Sequence, residues 1–291
     1  MSKLRIGFIG LGNMGTPMSR RLVEAGFPVT GTDLSAENRS GLDAAGGTSV
    51  TSSLEVAQTA DVLILMLPNS SIVESVLEAD GVAAALPEGA IVVDMSSSEP
   101  LRTRDLATRL ATAGGPELID APVSGGVGGA NKGSLTIMVG GEETTIETLR
   151  PILEVLGKVR HTGAVGSGHA LKALNNLLSA THLLVTSEAM AAGQEFGLDP
   201  NTMLEVFNAS SGRSGSTENK WPNFILPGSY DSGFGLALML KDMKIAASLA
   251  ESLGHPSQLG ARAVELWGQA ATELDPASDH TEIARWAASG S

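Results

Sequence analysis

Apolar positions fall in short unbroken runs through the first half of the chain and in longer helical patterns through the second. The runs lie at 5–9, 29–33, 62–67, 90–95 and 118–123. They do not alternate with polar residues, so they predict strands buried on both faces. Amphipathic stretches of helical length separate them. Strand and helix in alternation predict an α/β fold with a parallel, doubly wound sheet. A last pair, "LTIMVGG" and "KVRHTG", flanks a helix over 142–156 and completes the sheet. After "TGAVGSG" the strand signal ends. The pattern then predicts a helix over 168–196, roughly 40 Å long at 1.5 Å per residue. It is apolar almost all round, so other helices or a second subunit should enclose it, and a homodimer or homotetramer is expected. Two domains follow: an α/β domain over 1–164 and an all-helical domain over 165–291, joined by the long helix.

Composition narrows the partners. The chain has 291 residues and is 42% hydrophobic, enough for a large core. A net charge of −13 with few basic clusters argues against nucleic acid or an anionic membrane, and 3% aromatics leave little for base stacking. The longest apolar run, 62–67, is far shorter than a membrane span, and no targeting segment is visible. There is no cysteine, which removes disulfides, thiolate nucleophiles and cysteine-bound metal. The expected setting is the cytoplasm.

The first strand runs into "IGLGNMG", which puts Gly10, Gly12 and Gly15 in the G-x-G-x-x-G spacing, with Leu11, Asn13 and Met14 between them. The first glycine permits a tight turn, the second admits a pyrophosphate, and the third lets helix pack on strand. The helix that follows offers N–H groups and a positive dipole end to phosphate. Asp33 ends the second strand, where a carboxylate accepts from a ribose 2′-hydroxyl and repels a 2′-phosphate. No arginine follows it immediately. The first domain therefore reads as Rossmann-type, with NAD favoured over NADP. Ligands of such sheets lie outside the carboxyl ends of the strands. Leu67, Pro68, Ser96 and Ser97 stand at two such ends and are assigned to the cofactor, although Ser97 or Ser98 reads equally well as a helix cap.

Ser124, Gly125 and Gly126 follow the fifth strand. Consecutive N–H groups beside a hydroxyl form a nest for an anion such as a small carboxylate. Lys132 in the same loop reads as a solvated charge. Further on, "GHALKALNN" sets one lysine, Lys172, in an apolar run, with Asn176 one turn later on the same face. Hydride transfer to a carbonyl leaves charge on oxygen, and an ammonium within reach supplies the proton; the neutral amine takes it back during oxidation. A side chain that merely snorkels is the competing reading. His169, three residues before Lys172, tunes it or caps and packs the helix. The five histidines form no ligand set, and no metal site is expected.

"GFIGLGNMG", "DAPVSGG", "GHALKALNN" and "LMLKDMKIA", in that order over nearly the whole chain, resemble the β-hydroxyacid dehydrogenases, the family of 3-hydroxyisobutyrate dehydrogenase and tartronate semialdehyde reductase. The resemblance implies a dehydrogenase that interconverts a small β-hydroxy acid and its semialdehyde with NAD. By motif, Lys172 falls on the catalytic lysine, and Asn176 and Ser124, Gly125 and Gly126 fall on substrate-binding positions. Lys241 and Asp242 match a late Lys-Asp pair at the edge of cofactor and active site, and Phe234 just before them supplies an apolar wall for the cofactor. A structural ion pair is the other reading of Lys241 and Asp242.

Two positions depart from the family pattern. Arg21 stands where asparagine is common, a structural position. Gly215 stands where the 3-hydroxyisobutyrate enzymes commonly carry tryptophan, within a stretch over 208–235 rich in Gly, Ser and Asn and broken by Pro222 and Pro227. That implies a wider or wetter pocket and a larger or more polar substrate, such as a tartronate, serine-type or sulfonated analogue. Arg213 and Lys220 there read as solvated charges or as partners of a second anionic group. Imine reductases and non-catalytic dinucleotide-binding modules share this architecture but usually lack the lysine.

Overall fold

The computed structural model describes residues 3–290. The strands are β1 (Ile6–Ile9), β2 (Val29–Thr32), β3 (Thr48–Ser49), β4 (Val62–Leu65), β5 (Ile91–Asp94), β6 (Glu117–Asp120), β7 (Val123–Ser124), β8 (Leu135–Gly140) and β9 (Gly157–Gly163). They form one sheet in the order β3-β2-β1-β4-β5-β6-β8-β7, with β9 paired to β8. From β3 to β6 every pair is parallel. Successive residues of these strands enter opposite cores. Ile6, Phe8, Val62, Ile64, Val93 and Ile119 pack on one face, and Ile9, Leu63, Leu65, Val92 and Leu118 on the other. Burial on both faces is why the runs are apolar without alternation.

The far side of the sheet departs from the all-parallel expectation. β8 runs antiparallel to β6 and β7. From β6 the chain runs on into β7, which itself pairs antiparallel with β8, so the seven-residue helix between β7 and β8 closes a reversal rather than a crossover. β9 is parallel to β8 because a full helix, Glu143–Leu156, makes that crossover.

Three helices position the site. α1 (Gly15–Glu24) follows β1, and α2 (Ala36–Ala44) follows β2. α3 (Ser167–Phe196) is the long helix expected over 168–196. The chain separates into two compact units, 1–172 and 173–291. This division falls later than the change of sequence character at 164–165, because the first turn of α3 belongs with the sheet. A Cβ on Gly168 would lie 2.2 Å from the Met138 carbonyl oxygen.

The second unit is helical, with a core of its own around Leu183, Met190, Trp221, Met243, Trp267 and Ile283. α4 (Leu236–Ser252) carries the Lys-Asp pair. The stretch over 208–235, which reads as loop in sequence, contains a wide helical run at Ser216–Ile225. Trp221 and Ile225 are 6% exposed each, and their burial holds this run around Pro222. Among the described residues, no helix is long and apolar enough to cross a membrane.

Candidate active site

The glycine turn has the geometry its spacing predicts. Gly10 adopts φ 98°, and a Cβ there would lie 2.2 Å from the Met66 carbonyl oxygen. A Cβ on Gly15 would lie 1.9 Å from the Gly10 carbonyl oxygen, so α1 starts against the strand only because that position is glycine. Around Gly12 the space is open to 4 Å, which leaves room for a phosphate. No side chain caps α1, and the positive end of its dipole faces this turn. A cavity of about 260 Å³ opens here, lined by Gly12, Asn13, Thr16, Arg20, Asn38 and Asn131 among others. These features fit a dinucleotide.

Asp33 is built into this turn. One carboxylate oxygen accepts the Leu11 N–H at 2.7 Å, and the other accepts Ser35 N–H at 2.8 Å and Asn38 Nδ2 at 3.1 Å. A carboxylate offers about four acceptor sites, so these three bonds leave capacity for a ribose hydroxyl. The sequence shows no arginine directly after Asp33, yet Arg39 folds back and donates to the Asp33 and Leu34 carbonyls at 2.6 and 3.2 Å. Helical periodicity from Ser35 is the signal that would have placed it.

At the next two strand ends, Pro68 is exposed, and Leu67 and Ser97 are half-buried. Ser96 is 1% exposed, and its hydroxyl accepts the Leu67 N–H at 2.9 Å. Ser96 thus joins the two strand ends. Ser98 donates to Asp94 at 2.7 Å, and no side chain caps the helix after it. Arg21 reaches the Val155 and Asn131 carbonyls and ties α1 to neighbouring segments.

Lys172, on the last turn of α3 that belongs to the α/β unit, is 8% exposed. Its Nζ donates to the Val123 carbonyl at 2.8 Å. The ammonium therefore stands at the root of the Ser124-Gly125-Gly126 turn. Both glycines there have positive φ, 131° and 61°, and Gly125 is exposed. An ammonium held on a carbonyl beside an open N–H turn can donate a proton while the turn holds an anion.

On the helical unit, Asn176 donates through Nδ2 to Asp242 at 2.7 Å and accepts from Asn175 Nδ2 at 3.3 Å. Asp242 is 1% exposed and lies 3.6 Å from Lys241 Nζ. The late Lys-Asp pair is thus a real ion pair that also fixes the Asn176 amide. Phe234 is half-buried on the segment preceding α4. Around a Cβ on Gly215 the space is empty to 4 Å. Arg213 pairs with Glu218 at 2.6 Å. Lys220 is half-buried, with Nζ 5.7 Å from the Phe224 ring centroid, and burial lowers its pKa.

Three residues of this region do not announce themselves in sequence. Asp94 and Asp120 are aligned in register at the ends of β5 and β6, and Thr103 lies on the next helix. All three surround His169 and are buried.

A G-x-G-x-x-G turn with room for a phosphate, an acid at the end of the second strand and a buried lysine beside a second glycine turn fit a nicotinamide-dinucleotide-dependent oxidoreductase. Residues 5–166 match the model of the NAD binding domain of 6-phosphogluconate dehydrogenase. Residues 166–287 match that of the NAD-binding region of NADP-dependent 3-hydroxyisobutyrate dehydrogenase. The chain is 39% identical over 266 residues to 2-(hydroxymethyl)glutarate dehydrogenase of Eubacterium barkeri, covering 91% of this chain and 88% of that one. It is also 39% identical over 274 residues to mitochondrial 3-hydroxyisobutyrate dehydrogenase of Bos taurus, covering 91% and 81%. The structure of 3-hydroxyisobutyrate dehydrogenase from Mycobacterium tuberculosis with L-serine superposes with a TM-score of 0.91 at 33% identity, over 98% of this chain and 99% of that one. The chain belongs to the β-hydroxyacid dehydrogenase family and is an oxidoreductase acting on the CH–OH group of hydroxy acids.

Proposed function

We propose that this protein interconverts a small β-hydroxy acid and its semialdehyde with NAD, and that Lys172 is the proton donor and acceptor. The observation that carries this is the Lys172 ammonium, buried and 2.8 Å from the Val123 carbonyl, next to the Ser124-Gly125-Gly126 turn. When bound, the nicotinamide would supply or accept the hydride. The chain's own residues do the rest. The Ser-Gly-Gly turn holds the carboxylate, and Lys172 gives a proton to the carbonyl oxygen or takes it from the hydroxyl. Lysine suits both directions because its charge can be tuned, whereas arginine stays protonated. Asn176 and Lys241 are assigned to the substrate by the family pattern, and Asp242 fixes both. Leu67, Pro68, Ser96, Ser97, Phe234, Lys241 and Asp242 complete the cofactor assignments.

Asp33 supports NAD over NADP, since its carboxylate would repel a 2′-phosphate. The open space at Gly215 supports a substrate larger or more polar than 3-hydroxyisobutyrate. Following reduced cofactor with a panel of β-hydroxy acids, each against NAD⁺ and NADP⁺, tests this reading. Turnover of a β-hydroxy acid with NAD⁺ preferred supports it; activity on none of them sinks it.

The same reading includes a homodimer or homotetramer in the cytoplasm. Leu174, Leu178 and Val185 on α3 are 40%, 60% and 54% exposed and spaced to form one stripe, which suits a second copy of the chain. A monomeric mass by light scattering would remove that part. The absence of cysteine supports a reducing compartment.

A further inference from the structure

Asp120 is fully buried at the end of β6. Its two oxygens accept the N–H groups of Gly166 at 2.6 Å and His169 at 2.7 Å. A carboxylate from the sheet thus caps the first turn of α3. Gly168 permits this approach, since a Cβ there would lie 2.8 Å from the Asp120 carboxylate.

The His169 ring, 1% exposed, lies 3.7 Å from Asp94 and 3.7 Å from Asp120. Its Nδ1 pairs with Thr103 Oγ1 at 2.9 Å. Its Nε2 lies 3.1 Å from the Ser96 carbonyl, which can only accept, so Nε2 carries a hydrogen. The Ser96 hydroxyl in turn accepts from Leu67 N–H, and Ser98 donates to Asp94. The bonds run without a break from the ends of β4 and β5 to the turn of α3 that precedes Lys172. Burying two carboxylates and an imidazole is costly compared with an apolar packing of similar volume. A fully bonded network of this kind gives one unique geometry in return.

We propose that His169, held by Asp120, is a positioning residue for Lys172. His169 and Lys172 are three residues apart and share a face of the helix. Locking the imidazole onto Ser96 and Thr103 fixes the rotation and depth of this first turn. It therefore fixes where the ammonium stands relative to the strand ends assigned to the cofactor. The inference rests on the reading of Lys172 as the proton donor. A misplacement of about 1 Å in a reacting group costs on the order of 100-fold in rate.

The test compares wild type, Lys172→Ala, His169→Leu, His169→Gln and Thr103→Val. It measures kcat and KM for the best hydroxy acid, Kd for NADH by fluorescence titration, and Tm. His169→Leu should lower kcat on the order of 100-fold, with Kd for NADH and KM within about 3-fold of wild type. His169→Gln keeps an amide donor for the Ser96 carbonyl and an acceptor for Thr103, and should recover kcat to within about 10-fold of wild type. Thr103→Val removes one partner of the ring without adding a buried charge, and should lower kcat roughly 10-fold at unchanged Kd. It decides the matter if His169→Leu does not fold. The proposal is overturned if folded His169→Leu keeps wild-type kcat, or if Thr103→Val does so where the leucine variant is unfolded. It is equally overturned if NADH binding falls in proportion to kcat, which a general loss of structure would produce. A wild-type kcat that survives Lys172→Ala overturns the functional reading itself, and the positioning role with it.

Discussion

Asp120 in the α/β unit and Asp279 in the helical unit each bind a segment that begins far away in sequence. Asp120 accepts two main-chain N–H groups from the start of α3. Asp279 accepts from the Gly233 and Phe234 N–H groups, from the Ser232 hydroxyl, and from the Thr281 N–H and hydroxyl. Their carboxyl groups nevertheless shift in opposite directions. Burial pushes Asp120 above the usual carboxylate range, and the nearby His169 and the two N–H donors do not offset it. Burial would raise Asp279 as well, but bonds from His280, Thr281 and Ser232 outweigh it and hold that carboxyl far below the range. The difference lies in the number of donors and in the depth of burial. A cap with many donors at the rim stabilises its charge; a fully enclosed cap with few donors holds its geometry at a cost in solvation.

Breaking the two caps should therefore have unequal effects. Asp279→Ala strips several charge-assisted bonds from the segment that leads into α4, and should destabilise the protein by about 3 kcal/mol in urea unfolding. A loss under about 1 kcal/mol would mean the cap is redundant. Asp120→Asn keeps the shape but offers one acceptor where two N–H groups point. It also removes a buried charge, so a net cost of about 1 kcal/mol is expected, with kcat falling more than stability. A loss as large as that of Asp279→Ala would erase the distinction.

The acid limb of stability sharpens the same contrast. The depressed Asp279 carboxyl contributes stability that is present above its unfolded pKa, about 4, and is lost as pH falls below it. Asp120 has the opposite sign. Its raised folded pKa means that stability from this group falls as pH rises from about 4 through that higher value, so it opposes acid unfolding. Urea midpoints between about pH 3 and 7 should show a shallower acid loss for Asp279→Ala and a steeper one for Asp120→Asn. Parallel curves for the two variants would contradict the assignment.

What the sequence discloses is local. The glycine turn and Asp33 are legible because each feature sits at a fixed short distance from a strand. The apolar runs give the strands for the same reason. β3 is two residues long and carries no apolar run, and the reversal at β8 depends on its pairing with β7, also two residues long. The helical run at Ser216–Ile225 hides among glycines and prolines because Trp221 and Ile225 acquire their meaning only from the core they enter. The His169 network is the clearest omission. Asp120 and Gly166 are 46 residues apart, and Ser96 and His169 are 73 apart. Each residue alone reads as a strand end or a packed histidine. Lys172 is legible as an anomaly of burial, but its partner, the Val123 carbonyl, is 49 residues away.

The central claim is that Lys172 transfers the proton while other residues hold the cofactor. Its most direct test is the pair kcat and Kd for NADH in Lys172→Ala, with the hydroxy acid that wild type turns over fastest. Loss of a general acid–base costs about 10²- to 10⁴-fold, so kcat should fall by that much while Kd stays within about 3-fold. A variant that binds NADH as wild type does and turns over at the wild-type rate would contradict the account.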